Sequence, residues 1–189
     1  EVSDLSVMRA MPNMTVISPA DAVEVRAAMM ATNDSDGPVY VRMTRDPETI
    51  IFPNDYTFEI GRAIVAREGS DVTIFSTGAQ TVRCLQAADL LSGNGISAHV
   101  VHVPTIKPLD AEGIAEAAAR TGRVVTAEDH TIIGGLGGAV AEALGELQPT
   151  PMRRIGIRDT FGESAANEDL LEKYGITPEH VADAARALL

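Results

Sequence analysis

Short β-branched runs alternate along this chain with longer Ala-rich stretches, and that alternation predicts most of its elements. Thr15-Val16-Ile17 reads as a strand. A helix follows to about Thr32, with Ser18 as its expected N-cap and Pro19 at the first helical position. Residues 33–38 carry Asn, Asp, Ser, Gly and Pro and predict a turn, and residues 39–44 predict a second strand. Residues 46–57, rich in Pro, Asn and Asp without a helical period, read as a linker. The alternation then restarts. An edge strand is expected within 58–67, a buried strand at 72–75, a helix over 78–91 and a strand over 98–103. A helix capped by Asp110 runs to about 120, followed by a strand at 124–126, a helix over 136–147 and a strand over 154–157. Two helices, about 167–174 and 178–189, finish the chain. Strand and helix in turn, joined by short connections, predict parallel strands with right-handed crossovers. The expected fold class is an α/β sandwich with a mostly parallel sheet.

Composition narrows the chemistry. The 189 residues carry 15 Lys and Arg against 27 Asp and Glu, a formal charge of −12. That balance opposes nucleic-acid binding, which needs clustered cations. A single cysteine, Cys84, excludes an internal disulfide and a cysteine zinc cage, and no apolar run approaches a membrane span. The expected setting is cytoplasmic. The chain begins Glu1-Val2-Ser3-Asp4, without Met or a signal-peptide layout, which reads as a piece of something longer.

The ionisable residues form no familiar catalytic set. Cys84 lies within a predicted helix beside Leu85 and reads as a buried structural thiol. His99 and His102 point to opposite faces of their strand, which argues against a shared metal, and His180 reads as a solvated helix residue. Gly134-Gly135-Leu136-Gly137-Gly138 precedes a helix, where free N–H groups suit an anion. It matches the dinucleotide fingerprint only in part, so close packing is the favoured explanation. Glu128-Asp129-His130 places two carboxylates and an imidazole at a parallel strand's carboxyl end; a site and a structural cap or contact are both open there. Arg45 follows the strand 39–44 and suits a phosphate or carboxylate, with an ion pair to Asp46 or Glu48 as the alternative.

The order of segments resembles a known family. Asp4-Leu5-Ser6-Val7-Met8-Arg9-Ala10-Met11-Pro12-Asn13-Met14-Thr15-Val16, Pro19-Ala20-Asp21 and Gly37 through Arg45 resemble the end of the pyrimidine-binding domain of transketolases. Asp71 through Gly78, Glu128-Asp129-His130 with the glycine run, and Gly156 through Ser164 resemble the C-terminal transketolase domain. The wording is nearest to the C-terminal subunit of split transketolases. Deoxyxylulose-phosphate synthase and the beta subunits of 2-oxo acid dehydrogenases share the domain. The resemblance implies residues 1–45 as the end of a pyrimidine-binding domain, 46–57 as linker and 58–189 as the C-terminal domain.

By the same resemblance, the complete enzyme transfers a two-carbon ketol unit between sugar phosphates, in carbohydrate metabolism of the pentose phosphate type. It uses thiamine diphosphate and Mg²⁺, bound mainly by residues outside this segment, and it works with an N-terminal subunit and in homodimeric pairing. No residue of this segment is implied as catalytic, cofactor-binding or metal-binding. Arg45 matches the family's substrate-phosphate arginine, although Asp46-Pro47 departs from the usual following pair. Glu128, Asp129 and His130 are placed near an interface or the substrate channel. The family's substrate-contacting histidine falls just before Glu1. The alternatives are a non-catalytic assembly and support module, or part of a deoxyxylulose-phosphate synthase or of a 2-oxo acid dehydrogenase beta subunit.

Overall fold

The computed structural model describes residues 2–45 and 48–189. The chain runs α1 (Asp4–Ala10), β1 (Thr15–Ile17), α2 (Ala22–Ala31), β2 (Val39–Val41), β3 (Ile64–Arg67), β4 (Val72–Ser76), α3 (Gln80–Ser92) and β5 (Ala98–His102). It continues β6 (Thr105–Lys107), α4 (Ala111–Thr121), β7 (Val124–Thr131), α5 (Leu136–Leu147), β8 (Met152–Ile157), α6 (Asn167–Tyr174) and α7 (Pro178–Arg186).

The main sheet has the order β3-β5-β4-β7-β8. Its strands are parallel except β3, which pairs antiparallel with β5. Strand alternation sends neighbouring side chains into two separate cores. Val72 and Ile74 of β4 join Val100, Val125, Leu91 and Val181 under α3 and α7. Phe75 joins Val101, Val124, Ile114, Leu136 and Val140 under α4 and α5. Ala87, Ala88, Ala182 and Ala185 are almost fully buried, so the helices carrying them lie close on the sheet. The result is the expected α/β sandwich.

A smaller sheet, β2-β1-β6, joins the N-terminal segment to the rest. β1 and β2 are parallel, whereas β6 pairs antiparallel with β1. Neither α1 nor β6 is signalled by the hydrophobic pattern. β6 spans three residues between Pro104 and Pro108, too short to display a period.

Several boundaries move for physical reasons. Ser18 does not cap α2. Its N–H donates to Pro104 O (2.7 Å) and its carbonyl accepts from Gly78 N (3.0 Å), which holds it outside the helix. Asp21 is the cap instead, accepting from Glu24 N at 2.8 Å. The strand expected over 39–44 stops at Val41, because Arg42 N makes the last bond to β1, to Ile17 O, and its side chain turns to other partners. β7 runs to Thr131, five residues past the expected 126, so Glu128, Asp129 and His130 lie within the strand. The final helix ends at Arg186, short of 189.

The predicted linker begins with Asp46 and Pro47, which lie outside the described residues. Its remainder is held down. Asp21 accepts from Ile51 N (2.7 Å) and Phe52 N (2.9 Å), and Tyr56 donates its hydroxyl to Glu24 (3.0 Å).

Candidate functional site

The C-terminal end of β2 faces the C-terminal end of β7, and charged side chains fill the gap. Tyr40 and Arg42, two apart on β2 and its extension, reach the same carboxylate: Tyr40 donates to Asp4 Oδ2 at 2.8 Å and Arg42 Nε at 3.1 Å. Arg42 also donates Nη1 to Asp129 Oδ1 (2.6 Å) and Nη2 to the Asp129 carbonyl (3.1 Å). Burial disfavours the Arg42 charge, but Asp129 and Asp4 outweigh it and hold the guanidinium above its ordinary value. Asp129 therefore clamps the N-terminal segment to the large sheet.

Glu128 and His130 point to the other face of β7 and are wholly buried. The Glu128 carboxylate accepts from Leu136 N (2.7 Å) and Gly137 N (2.8 Å), the first amides of α5. These are the groups that would otherwise receive an anion. The glycine run thus seats the protein's own carboxylate. A Cβ on Gly135 would overlap Glu128 and lie 2.6 Å from His130 Nδ1, and one on Gly137 would lie 2.9 Å from Thr126 Oγ1. Close approach explains these glycines, as the sequence suggests. His130 Nδ1 donates to Thr131 O at 2.7 Å, while its Nε2 lies buried 4.0 Å from Asp4 Oδ1.

Arg45 stands exposed just beyond β2. Its alternative partner Glu48 pairs with Arg83 at 3.4 Å, and the other, Asp46, is outside the described residues. Arg45, Arg42, Arg83, Glu48, Asp129 and Asn167 line one cleft of about 540 Å³ between the N-terminal segment and α3, α6 and β7. Arg42 and Asp129 also form a wall of an adjoining 900 Å³ cleft under the 157–164 loop, where Phe161 is 92% exposed. The structure thus brings Asp129 and Arg45 to one cleft and directs Glu128 and His130 into the core.

Arg42, Asp4 and Arg83 were not singled out from the sequence, and Glu48 was considered only as a partner for Arg45, whereas it pairs with Arg83. The only available signal was Tyr40 and Arg42 on one face of a strand. His102 is likewise more engaged than its isolated position suggests: its Nε2 meets Glu24 at 2.8 Å and its Nδ1 meets Thr81 at 2.7 Å, all buried. His99 faces Glu68 and Arg120 instead; burial first, then Arg120, lowers its pKa. His180 is half-buried with Nδ1 2.8 Å from Thr177 rather than solvated. Cys84 is buried and free, as expected.

Comparison with known proteins decides the family. The model of the transketolase C-terminal domain matches residues 61–181, and that of the transketolase pyrimidine-binding domain matches residues 1–47. The chain belongs to the transketolase family. A 6-deoxy-6-sulfo-D-fructose transketolase subunit of Clostridium sp. (strain MSTE9) is 46% identical over 184 residues, 97% of this chain and 57% of the relative. A putative transketolase C-terminal section of Methanocaldococcus jannaschii is 44% identical over 182 residues, 95% and 57% respectively. A solved split-gene transketolase, described as an inactive beta4 tetramer, superposes with a TM-score of 0.97 at 46% identity, covering all of this chain and 62% of that one. The chain therefore spans under two thirds of the length of each. Among the described residues, no group of three or more His, Cys, Asp or Glu is placed to hold a metal. The α5 N-terminus is filled by Glu128. These residues do not fit a diphosphate and its cation. No described helix is long and apolar enough to cross a membrane.

Proposed function

We propose that this chain supplies the C-terminal part of a thiamine-diphosphate- and Mg²⁺-dependent transketolase, which moves a two-carbon ketol unit between sugar phosphates. In that reading residues 1–45 end a pyrimidine-binding domain, 46–57 connect, and 58–189 form the C-terminal domain. The cofactor stabilises the carbanion chemistry in the complete enzyme, held by residues beyond those described here. A separate N-terminal subunit and pairing of copies complete the assembly. The split-gene relative, which forms a tetramer, supports this.

The observation that carries the reading is Arg45. Its guanidinium is exposed at a cleft and makes no ion pair with the described carboxylates, while Arg42 and Arg83 beside it are paired. A planar fork in that state receives a phosphate bidentately. Held there, the substrate's far end adds binding energy remote from the reacting carbons. The relative that acts on a sulfonated sugar fits a cleft for an anionic substrate end. Asp129 and Arg42 act by fixing the cleft wall.

Arg45→Ala in the complete enzyme should raise KM for a phosphorylated ketose about 10-fold or more relative to an unphosphorylated one, the effect of losing one charge-assisted bond. Equal changes in the two KM values would contradict the assignment.

A further inference from the structure

Arg45 shares its cleft with two further guanidinium groups, Arg42 and Arg83, both of them paired. Arg42 is engaged by Asp4, by the Asp129 carboxylate and by the Asp129 carbonyl at 2.6–3.1 Å. Arg83, one turn into α3, lines the same cleft. Its Nη1 donates to Ala79 O at 3.1 Å, which aims the fork, and its Nη2 reaches Glu48 Oε1 at 3.4 Å. That second contact is long for a charge-assisted bond, which is commonly 2.7–2.9 Å. Glu48 sits on the same loop as Arg45 and shares a second small cleft with it, beside the start of α2. One carboxylate thus lies at the Arg83 fork, held by one long contact and 16% exposed, three residues after Arg45.

We infer that Arg83 is a second contact for the substrate's phosphate, and that Glu48 is an internal carboxylate standing where that phosphate binds. The inference rests on the reading of Arg45 given above. A phosphate monoester carries up to two negative charges, and a single guanidinium balances one. Arg45 from the N-terminal segment and Arg83 from α3 together balance both. An arriving phosphate displaces the Glu48 carboxylate from the fork, and the released carboxylate is hydrated by solvent at little cost. A ligand with no charge leaves Glu48 in place and gains nothing from Arg83. Glu48 therefore holds the Arg83 fork until an anion competes for it, so that only a charged ligand gains from Arg83.

The test is kinetic, in the complete enzyme, with a phosphorylated ketose, its unphosphorylated counterpart and inorganic phosphate as competitive inhibitor. Arg83→Gln should raise the KM of the phosphorylated ketose about 10-fold relative to that of the unphosphorylated one, and Arg83→Lys should do so less. Glu48→Gln should act in the opposite direction, tightening inorganic phosphate several-fold. That gain should shrink when Arg83 is also Gln, because the two side chains act on one fork. If Arg83→Gln and Glu48→Gln shift both substrates alike, while Arg45→Ala retains its selectivity, the inference is wrong and the Arg45 reading stands. If Arg45→Ala is unselective too, both fall. Should Arg83→Gln fail to fold, Glu48→Gln decides by itself: unchanged or weaker phosphate inhibition overturns the inference.

Discussion

Glu128 shows how a residue type alone misleads. A carboxylate at the carboxyl end of a parallel strand is where a site is sought, yet this one turns inward. It spends both oxygens on the first amides of α5. Its neighbour Asp129 has the same chemistry and the opposite direction, because successive side chains on a strand alternate faces. What the sequence could not reveal was that β7 continues through this triad, and so which member faces which way. Cys84 is a simpler case. Complete burial, opposed weakly by Arg83, pushes its thiol up to about 12. At pH 8 the thiolate is then a fraction on the order of 10⁻⁴. A disulfide reagent should leave the native chain unlabelled for hours and modify it as denaturant unfolds it. Stoichiometric labelling within minutes under native conditions would contradict the burial.

At the scale of elements, α5 separates two uses of glycine. Gly135 is tolerated only without a side chain, since a Cβ there would overlap Glu128. Gly135→Ala should destabilise the fold by about 2–4 kcal/mol, through steric conflict and loss of the Glu128 bonds. Gly145 lies inside α5, which Gly135 only caps, with nothing within 4 Å of its would-be Cβ. Gly145→Ala should stabilise by about 0.5–1 kcal/mol, the ordinary difference in helix propensity. Urea midpoints of the two variants, compared at equal slope, check both. Helices with a clear amphipathic pattern were legible in advance: α5 over 136–147 and the shorter α6 over 167–174 appear with the predicted bounds. Elements were lost where the signal is intrinsically short. α1 has seven residues and β6 three, and each is stabilised by long-range packing, α1 against β1 and β7 and β6 against β1. The α2 cap failed for a related reason. Ser18 is a good cap locally, but pairing with Pro104 and Gly78 removes it from the helix.

For the whole molecule, the arrangement to be explained is how a short N-terminal segment stays fixed on a larger sandwich. Among the contacts that do this are the β1–β6 ladder, the buried Glu24–His102 contact at 2.8 Å, and the Arg42 clamp on Asp129, which Asp4 helps to hold. Arg42→Ala should cost about 2–3 kcal/mol in unfolding free energy. That is below the range for fully buried pairs, because Asp129 is 21% exposed. A change under about 0.5 kcal/mol in a denaturant titration would show that the clamp does not hold the two parts together. None of these contacts is local in sequence, so the place of Arg45 beyond a strand was legible beforehand and its surroundings were not. A motif places one residue at a strand end, whereas the cleft depends on residues 42, 83, 129 and 167 meeting through the fold.

The proposed activity is ketol transfer by the complete enzyme, with this chain forming the phosphate end of its cleft. The most direct measurement supplies the chain and its N-terminal partner with thiamine diphosphate, Mg²⁺, a ketose phosphate donor and an aldose phosphate acceptor, and follows the products. The account predicts a donor shortened by two carbons and an acceptor lengthened by two, with pyruvate inert as donor. Consumption of pyruvate with release of carbon dioxide, and no ketol transfer from the ketose phosphate, would contradict it.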